Sequence, residues 1–495
     1  MKAYFHSASR IARDSRRNPP PGREKRLGLN QGQSGAALMP DGGDAFAARV
    51  ISAREAEYTI DAQYYIWHAD TTGRFLAHEL LAAADRGVYV RLLLDDMDAR
   101  SRNPLLTTLN RHPRFEIRMF NPFPVRSSVL RTLVDVITRA SRLNHRMHNK
   151  SWIVDNRVAM LGGRNVGDEY FAASAEVNFV DLDVLLTGAA VAEAATVFER
   201  YWNSDCSVPV EKLRRPLKRH RSLQRLREML RADAEQTERS DYAERLRESS
   251  TLESLVQRDC ISIWSDRIHV VADDPRKADD THQQLDPGVL DSMIAAIGGT
   301  RRELLLVSPY FVPGAGATAA LCDLAQRASV DVLTNSLAAT DVAAVHSGYS
   351  RYRTTLLLGG VKLSELKPTA LPEEGKHQRL RLGSSRASLH TKAAVVDGSR
   401  VFVGSFNLDP RSARLNCEMG AWIESEALAE QMRAMYVDAM GPQRSFVVTL
   451  DDRNRPQWME TVDGANVLYH QDPHASWGRR VVTWLLQFLP LESQL

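Results

Sequence analysis

Residues 148–155 of this chain read HNKSWIVD, and residues 390–397 read HTKAAVVD. Each copy is followed by a second short match, GGRN at residues 162–165 and GSFN at residues 404–407. His, Lys, Asp, Gly and Asn recur at identical internal spacing, and each pair lies 242 positions apart, as His148 and His390 do. A single His-x-Lys carries no information, but five matched positions indicate an internal duplication on which the fold is built.

The spacing within each copy predicts where its side chains point. Side chains alternate along a strand, so the His and the Lys of His-x-Lys lie on one face. The apolar residues that follow continue the strand into the core, and Asp155 and Asp397 begin turn-prone segments. The next strand ends at small residues, which allow a ligand to approach the backbone closely. We expect a pseudo-twofold to bring the two sets of polar side chains around one anion. The sets are His148, Lys150 and Asn165, and His390, Lys392 and Asn407.

The segments around the two copies predict the same order of elements. A helix at 45–56 and an apolar strand at 58–66 begin the first half, and a helix at 290–297 and a strand at 303–312 begin the second. The letters QYYI at 63–66 match PYFV at 309–312. Strands that alternate with helices predict βαβ units and a largely parallel sheet. We therefore predict an α/β fold, in which two similar αβα-layered halves face each other across a shared active-site cleft.

These patterns divide the chain into five segments. We predict that residues 1–43 form a flexible tail. Residues 44–210 are predicted to form the first half, and residues 259–440 the second half. Residues 211–258 are dense in Arg and Glu, which is typical of a solvated helical connector or insertion. Alternatively, the basic residues of this connector form a patch for anionic phosphate surfaces of lipid or nucleic acid. Those residues are Lys212, Arg214, Arg215, Lys218, Arg219 and Arg221.

Residues 441–495 form an extension that ends in an amphipathic segment. Within it, one helical stripe is apolar, and the narrow opposite face is polar. The segment is too short to span a bilayer, so it either lies at a membrane interface or packs on the domain. The stripe is Trp477, Val481, Trp484, Leu485 and Phe488, widened by Val482, Leu486 and Leu489, and the polar face is Arg480, Thr483 and Gln487.

Composition narrows the possible classes of protein. The 495 residues contain 64 Lys and Arg against 61 Asp and Glu, and the net charge of +3 argues against a strongly basic nucleic-acid-binding protein. The four cysteines form no CxxC pair, so we expect neither a disulfide framework nor a zinc module. We expect the protein to lie in a reducing compartment. The chain has no stretch of about 20 apolar residues for a spanning helix, and its start has no apolar core of a secretory signal.

The duplicated pattern resembles the signature of the phospholipase D superfamily, which is an HxKxxxxD box in two copies. The longer stretches at 144–171 (NHRMHNKSWIVDNRVAMLGGRNVGDEYF) and 389–412 (LHTKAAVVDGSRVFVGSFNLDPRS) are similar to the bacterial cardiolipin synthase branch, and to its C type in particular. The resemblance extends over residues 44–495. It implies a phosphatidyltransferase that makes cardiolipin through a phosphohistidine, with a phospholipase D-type hydrolase or a nuclease as the alternative.

The chemistry of the residues assigns a role to each. One neutral imidazole attacks phosphorus, while the other, protonated, delivers its proton to the leaving alkoxide. By analogy with the superfamily we expect His148 to be the nucleophile and His390 the acid, although the near symmetry leaves the reverse order open. Lys150, Lys392, Asn165 and Asn407 would stabilise the non-bridging oxygens. Neither a metal nor a cofactor is required.

Carboxylates complete the expected site. Each imidazole needs an acceptor on its other ring nitrogen. The segment from Asp181 (DLDVLLTGAAVAEA) aligns with the segment from Glu418 (EMGAWIESEALAEQ), so we propose these two residues as the orienting groups, with surface or cap carboxylates as the alternative. Asp155 and Asp397 belong to the motif, but we expect them to act on local structure.

The resemblance also predicts the surroundings of the protein. It implies phospholipid substrates, with phosphatidylethanolamine as a possible second one, and a peripheral position on the cytoplasmic face of a bacterial inner membrane. We expect no nucleic-acid partner, because the net charge is small and base-stacking platforms are few. The sequence leaves the oligomeric state, the acceptor lipid and the balance of transfer against hydrolysis undetermined.

Overall fold

A computed structural model describes residues 32–97, 104–122, 144–213, 222–247, 261–279, 285–368 and 386–488. The strands are β1 (Ser34–Met39), β2 (Thr59–Tyr64), β3 (Tyr89–Asp95), β4 (Phe115–Phe120), β5 (Ser151–Val154), β6 (Val158–Gly162), β7 (Val177–Val180), β8 (Asp183–Gly188), β9 (Ser207–Pro209), β10 (Ile263–Ser265), β11 (Ile268–Ala272), β12 (Glu303–Val307), β13 (Ser329–Asn335), β14 (Lys362–Leu366), β15 (Arg386–Leu389), β16 (Lys392–Val396), β17 (Arg400–Gly404), β18 (Met419–Glu424), β19 (Ser445–Leu450), β20 (Pro456–Val462) and β21 (Ala465–Tyr469). The α-helices are α1 (Gly42–Glu55), α2 (Thr71–Asp85), α3 (Pro104–Leu109), α4 (Ala189–Trp202), α5 (Leu223–Glu238), α6 (Asp241–Arg247), α7 (Val289–Gly299), α8 (Gly314–Ala325), α9 (Ala343–Leu358), α10 (Pro410–Arg414), α11 (Glu426–Met440) and α12 (Trp477–Leu486).

Two large mixed sheets carry the two halves. The first has the order β10-β1-β8-β6-β5-β2-β3-β4-β9, and the second has the order β11-β18-β17-β16-β12-β13-β14-β19-β20-β21. Only β2, β3 and β4 in the first sheet, and β12, β13 and β14 in the second, run parallel to one another. The prediction of a largely parallel sheet is therefore wrong. The reason is that the motif strands form tight hairpins, β5–β6 and β16–β17, which require antiparallel pairing.

The shared strand order confirms the duplication and corrects one detail of it. Strands β8-β6-β5-β2-β3-β4 have the same order and directions as β18-β17-β16-β12-β13-β14. In the ladders, Ile60 pairs with Val154 as Leu304 pairs with Val396. Residue 60 therefore corresponds to 304, and the match of 63–66 with 309–312 is wrong by two residues. The similar aromatic residues lie at different distances from the strand ends, since Tyr64 ends β2 whereas Tyr310 lies three residues past β12.

Three hydrophobic cores define the layers of the molecule. Helices α4 and α11 pack between the sheets, in a core that takes residues from both, including Leu161 and Val403. Helices α1, α2, α3 and α5 cover the outer face of the first sheet. Helices α7, α8 and α9 cover that of the second. The α/β class with two layered halves is thus confirmed, and the halves meet where β6 and β8 contact β17 and β18.

The segments outside the two halves pack against them more closely than predicted. Residues 34–39, assigned to the flexible tail, form β1, which is buried and pairs with both β8 and β10. The connector is helical where it is described, but α5 buries Leu226, Leu230 and Ala234 in the core of the first half. The prediction of a solvated connector followed from its many charged residues, most of which are exposed or only partly buried in α5. Of the proposed basic patch, only Lys212 belongs to the described residues.

The extension at 441–495 adds strands and a final helix to the second half. Strands β19, β20 and β21 continue the second sheet beyond β14 by antiparallel pairing. Helix α12 packs along α9. Within the part of the chain that the structure describes, no helix combines the length and the apolar character needed to cross a bilayer.

Candidate active site

The motif aspartates close the two hairpins. Asp155 and Asn156 both have φ of 52°, and Asp397 and Gly398 have φ of 54° and 64°, so each three-residue loop begins with two residues in the left-handed region. The Asp155 carboxylate accepts the backbone N–H groups of residues 57, 58 and 59 at 2.8–2.9 Å. Asp397 accepts those of residues 301, 302 and 303 at 2.7–3.2 Å. Asp155 therefore holds its hairpin to the start of β2, and Asp397 holds its hairpin to the start of β12.

His148 is held by a carboxylate from the other half. Its Nδ1 lies 2.8 Å from Oε2 of Glu418 and 3.1 Å from the carbonyl oxygen of Ser405. The backbone aligns this pair, because Met147 and Cys417, the residues before His148 and Glu418, form a parallel bridge. The N–H of His148 donates to the carbonyl of Cys417 at 2.8 Å.

His390 repeats the arrangement with the halves exchanged. Its Nδ1 lies 2.6 Å from Oδ2 of Asp181, which belongs to the first half. Strands β7 and β15 form a parallel two-stranded sheet in which Val180 pairs with Leu389, so the residues before Asp181 and His390 are again neighbours. The N–H of His390 donates to the carbonyl of Val180 at 2.8 Å. In both imidazoles Nδ1 contacts a carboxylate, which leaves Nε2 for chemistry.

Two polar residues at strand ends support the histidine segments and were missed by the sequence reasoning. Asp95, at the end of β3, accepts the N–H of Met147 at 2.9 Å. Asn335, at the end of β13, bonds both the N–H and the carbonyl of Leu389, at 2.8 and 2.9 Å. Both residues follow apolar strands, and this position at the carboxyl ends of parallel strands was the available signal.

Burial lowers the pKa values of the motif histidines and lysines. Desolvation lowers the pKa of His148 to about 4, although the charge of Glu418 opposes this shift. The pKa of His390 is also lowered, first by burial and then by the positive charge of Lys392. Burial likewise lowers the pKa of Lys392 to about 8 and that of Lys150 well below its ordinary value. Burial therefore disfavours the charged forms of both imidazoles and both amines, whereas the negative charge of a phosphodiester would favour them.

The orienting carboxylates remain ionised despite complete burial. Burial raises the pKa of Asp181, but His390 and Lys392 outweigh it and leave the value at about 2. The pKa of Glu418 is lowered as well, because His148 and Lys150 outweigh the effect of burial. Glu418 also accepts hydrogen bonds from the hydroxyls of Ser405 and Ser412. Two negative charges thus face two imidazoles and two amines, and each lysine ammonium interacts with both carboxylates.

The two motif asparagines differ in their surroundings. Oδ1 of Asn165 accepts the N–H of Ile66 at 3.2 Å, and its Nδ2 donates to the Tyr170 hydroxyl at 3.0 Å. Oδ1 of Asn407 is buried without a hydrogen-bond partner in the described structure. Asn407 is therefore the carboxamide with unused capacity, whereas Asn165 also braces the wall of the site.

Aromatic rings surround both imidazoles. The ring of Tyr65 lies edge-on to His148 with centroids 5.2 Å apart, and Nζ of Lys150 lies 5.6 Å from the Tyr65 centroid. Tyr170 and Phe179 flank His390 at 5.3 and 5.1 Å. Of the aromatic residues near the strand ends, Tyr64 and Phe311 are core residues, whereas Tyr65 contacts His148. Tyr310 donates to Asp341 at 2.7 Å.

Two groups among the described residues have the geometry to hold a metal ion. One is His68, Asp70 and Glu169, in which Nδ1 of His68 lies 3.2 Å from Oε1 of Glu169. The other is His346, Glu365 and Asp472, whose side chains are bridged by the guanidinium of Arg353. Neither group includes a residue of the duplicated motif.

Comparison with known proteins agrees with this geometry. A family model described as "Cardiolipin synthase, PLD-like domain" matches residues 51–202 and 293–438, one match for each half. Cardiolipin synthase C of Escherichia coli is 41% identical over 466 residues, which cover 93% of this chain and 96% of that protein. A cardiolipin synthase of Listeria monocytogenes is 26% identical, over 81% of this chain and 68% of its own length.

A solved structure has the same fold. The phosphatidylserine synthase of Haemophilus influenzae aligns with a TM-score of 0.56 and 13% identity, covering 86% of this chain and 92% of that one. At that identity the likeness shows the fold alone. The family model and the long match to the Escherichia coli protein carry the assignment further, and this chain belongs to the cardiolipin synthase family with PLD-like domains.

Proposed function

We propose that this enzyme transfers a phosphatidyl group from phosphatidylglycerol, or from another phospholipid, to the hydroxyl of a second phospholipid, and so makes cardiolipin. The observation that carries the proposal is the crossed pairing of His148 with Glu418 and of His390 with Asp181. This pairing holds two imidazoles through Nδ1, next to two buried lysines. A two-step transfer of a phosphatidyl group needs such a nucleophile, such an acid and nearby positive charge.

In the first step, Nε2 of His148 attacks the phosphorus of the donor lipid. The bond from phosphorus to the donor headgroup oxygen breaks, and the protonated imidazole of His390 gives its proton to that leaving oxygen. The pKa of about 4 keeps His148 neutral and nucleophilic before substrate binds. The anionic phosphodiester favours the protonated form of an adjacent imidazole, which provides the acid. Phosphatidyl-His148 and a free headgroup alcohol result.

In the second step, the now neutral His390 takes the proton from the hydroxyl of the acceptor lipid. The acceptor oxygen attacks phosphorus as the bond to His148 breaks, which returns both imidazoles to their starting states. Lys150, Lys392 and Asn407 stabilise the negative charge on the non-bridging oxygens in both steps. Asp181 and Glu418 hold the rings and stabilise the imidazolium forms.

The low exposure of the site favours transfer over hydrolysis. His148 is 8% exposed and His390 is 6% exposed, and aromatic rings flank both. An intermediate so enclosed meets an acceptor lipid more readily than bulk water. We further propose that phosphatidylethanolamine can act as a second substrate, that the protein attaches peripherally to the cytoplasmic face of the inner membrane, and that nucleic acid is not a substrate.

The reaction is tested with the full chain on vesicles that contain labelled phosphatidylglycerol, with and without phosphatidylethanolamine. We expect lipid mass spectrometry to detect labelled cardiolipin, and an increase with phosphatidylethanolamine if that lipid also reacts. The His148→Ala and His390→Ala variants serve as matched controls and should form none. Phosphatidic acid as the sole product would establish a hydrolase instead.

The assignment of the two histidines is tested with a phosphatidyl ester of p-nitrophenol, a leaving group that needs no proton. His390→Ala should still release one equivalent of nitrophenol and accumulate a phosphatidyl group on His148, detectable by peptide mass spectrometry. His148→Ala should release none. Asp181→Asn should show a smaller version of the defect of His390→Ala, and Glu418→Gln a smaller version of the defect of His148→Ala. The reverse pattern would exchange the roles of the two histidines.

A further inference from the structure

Helix α12 presents its apolar side to solvent. Trp477 is 77% exposed, Trp484 57%, Leu485 53% and Phe488, just past the helix end, 68%. Trp484 and Phe488 contact each other edge-on at 4.9 Å, so these two rings form one apolar surface at the end of the helix. A soluble helix normally buries such a stripe, and a contiguous exposed apolar patch marks an interaction site.

The polar side of α12 makes the contacts with the protein. Thr483 is 4% exposed, and Nε2 of Gln487 donates to the hydroxyl of Ser350 on α9 at 2.7 Å. Arg480 donates to the carbonyl of Asp472 at 2.8 Å, and Arg479 donates to the carbonyl of Thr340. The helix is therefore anchored by hydrogen bonds in the orientation that leaves its apolar stripe outward.

We infer that α12 is the element that docks this enzyme on an anionic lipid surface, lying flat with the docking stripe (Trp477, Trp484, Leu485 and Phe488) in the headgroup region. Its ten residues are about 15 Å long at ~1.5 Å per residue, which suits a helix in the interface plane. Residues 477–488 include no carboxylate and two arginines, which lie on the protein-facing side, so the helix carries a net positive charge that favours an anionic lipid surface at long range. Tryptophan is the residue type enriched at such interfaces.

The position of α12 connects the docking stripe to the active site. Thr340, which accepts the hydrogen bond from Arg479, is followed by Asp341, which binds Tyr310 and acts electrostatically on Lys392. Val342, the next residue, is a further exposed apolar residue, at 38%. This step rests on the proposed function, since a lipid substrate can enter without leaving the bilayer only if the site opens beside the docking surface.

The test replaces the docking stripe with glutamine in one variant (Trp477→Gln, Trp484→Gln, Leu485→Gln and Phe488→Gln). A matched control changes two equally exposed apolar residues on other helices, Ile294→Gln and Val437→Gln, which are 59% and 52% exposed. Co-sedimentation uses vesicles of phosphatidylethanolamine and phosphatidylglycerol, with His148→Ala in every chain so that the lipids do not change. Turnover is measured separately in the active background, on phosphatidylglycerol with short acyl chains dissolved as monomers.

We expect the stripe variant to lose vesicle binding by at least about tenfold, while the control variant binds like the parent. Lipids brominated in the acyl chains should quench the fluorescence of the parent but not of the stripe variant. Turnover of the monomeric lipid should stay within about twofold, which shows that the variant is folded. Unchanged vesicle binding overturns the inference. A stripe variant that binds vesicles but falls from dimer to monomer overturns it too, and assigns the stripe to a second copy of the chain.

The two proposals fail in different ways. If the parent binds vesicles through the stripe yet makes no cardiolipin, the proposed reaction fails and the docking helix stands. If cardiolipin forms on vesicles equally fast with and without the stripe, the reaction stands and the docking helix fails.

Discussion

Burial decides the protonation state of the imidazole assigned as nucleophile. Since the pKa of His148 is lowered to about 4, the free enzyme holds this ring neutral throughout the mildly acidic range. The pKa of His390 is lowered as well. As the pH rises, the free enzyme therefore loses the protonated form needed for the acid step before the pH reaches the ordinary histidine pKa of about 6.5.

The profile of kcat/KM against pH should therefore be a bell displaced to acid, because this ratio reports the free enzyme. We expect an acid limb near pH 4, set by His148, and a basic limb below about pH 6.5, set by His390. The measurement uses a monomeric short-chain lipid, and enzyme held at pH 4 and assayed at neutral pH controls for unfolding. An acid limb near pH 6.5 would contradict the burial of His148.

Asp397 illustrates a motif residue that acts on stability. Partial burial raises its pKa, but the N–H groups of Arg302, Glu303 and Arg301 outweigh this and lower it. A carboxyl whose pKa is lower in the folded state stabilises the protein above its unfolded pKa, and this contribution is lost as the pH falls through the folded pKa.

Asp397→Asn should lower the free energy of unfolding at neutral pH by roughly 1–3 kcal/mol, because a neutral amide accepts these hydrogen bonds less strongly. The difference from wild type should shrink as the pH falls below about 4. Thermal unfolding followed by circular dichroism measures both. A variant that keeps its Tm but loses turnover would show that Asp397 acts in the chemistry.

At the scale of elements, the two motif hairpins test the repeat directly. Both turns need two residues at positive φ, and the second copy places Gly398 where the first has Asn156. We expect Gly398→Ala to cost about 1 kcal/mol of unfolding free energy, because a β-carbon is strained in this conformation. Asn156→Gly, the reciprocal change, should be neutral within about 0.5 kcal/mol. Equal destabilisation by both changes, measured by urea unfolding, would contradict the equivalence of the turns.

The elements also show how far sequence reasoning extends. The repeat, the hairpin turns and the approximate bounds of the first elements follow from local patterns, which is why α1, β2 and α7 lie within three residues of their predicted positions. Strand β1 was missed because both of its faces are buried, so its residues show no alternation. The direction of the strands around β5 and β16 depends on hairpin closure. The two-residue shift between the halves shows that similar letters beyond a strand end do not fix register.

At the scale of the whole molecule, the sequence proposed Asp181 and Glu418 as orienting groups but did not indicate which imidazole each would contact. That choice depends on the parallel bridge at Cys417 and on the β7–β15 ladder, both of which form only between the halves. The orientation of α12 was likewise open, because an amphipathic pattern does not say which face the protein covers. Tertiary hydrogen bonds from Arg480 and Gln487 decide it.

A site assembled within one chain predicts the outcome of a mixing experiment. Within a single copy, His148 contacts Glu418 and His390 contacts Asp181, so each pair joins the two halves of the same chain. We therefore expect a mixture of His148→Ala and His390→Ala proteins, refolded together, to show less than about one per cent of wild-type turnover, in line with the loss when a catalytic residue is removed. Refolded wild type is the control. Recovery towards one quarter of wild-type turnover would mean that neighbouring copies exchange halves.

The crossed carboxylates also bear on how such a duplicated chain can change over generations. A substitution at Glu418 in the second repeat is felt first at His148 in the first, and one at Asp181 is felt at His390. Neither repeat can acquire a new role, or be deleted, without removing the carboxylate that the histidine of the other repeat contacts. We therefore expect both repeats to be retained together during evolution. Divergence between related chains should concentrate in the outer helices and the terminal segments.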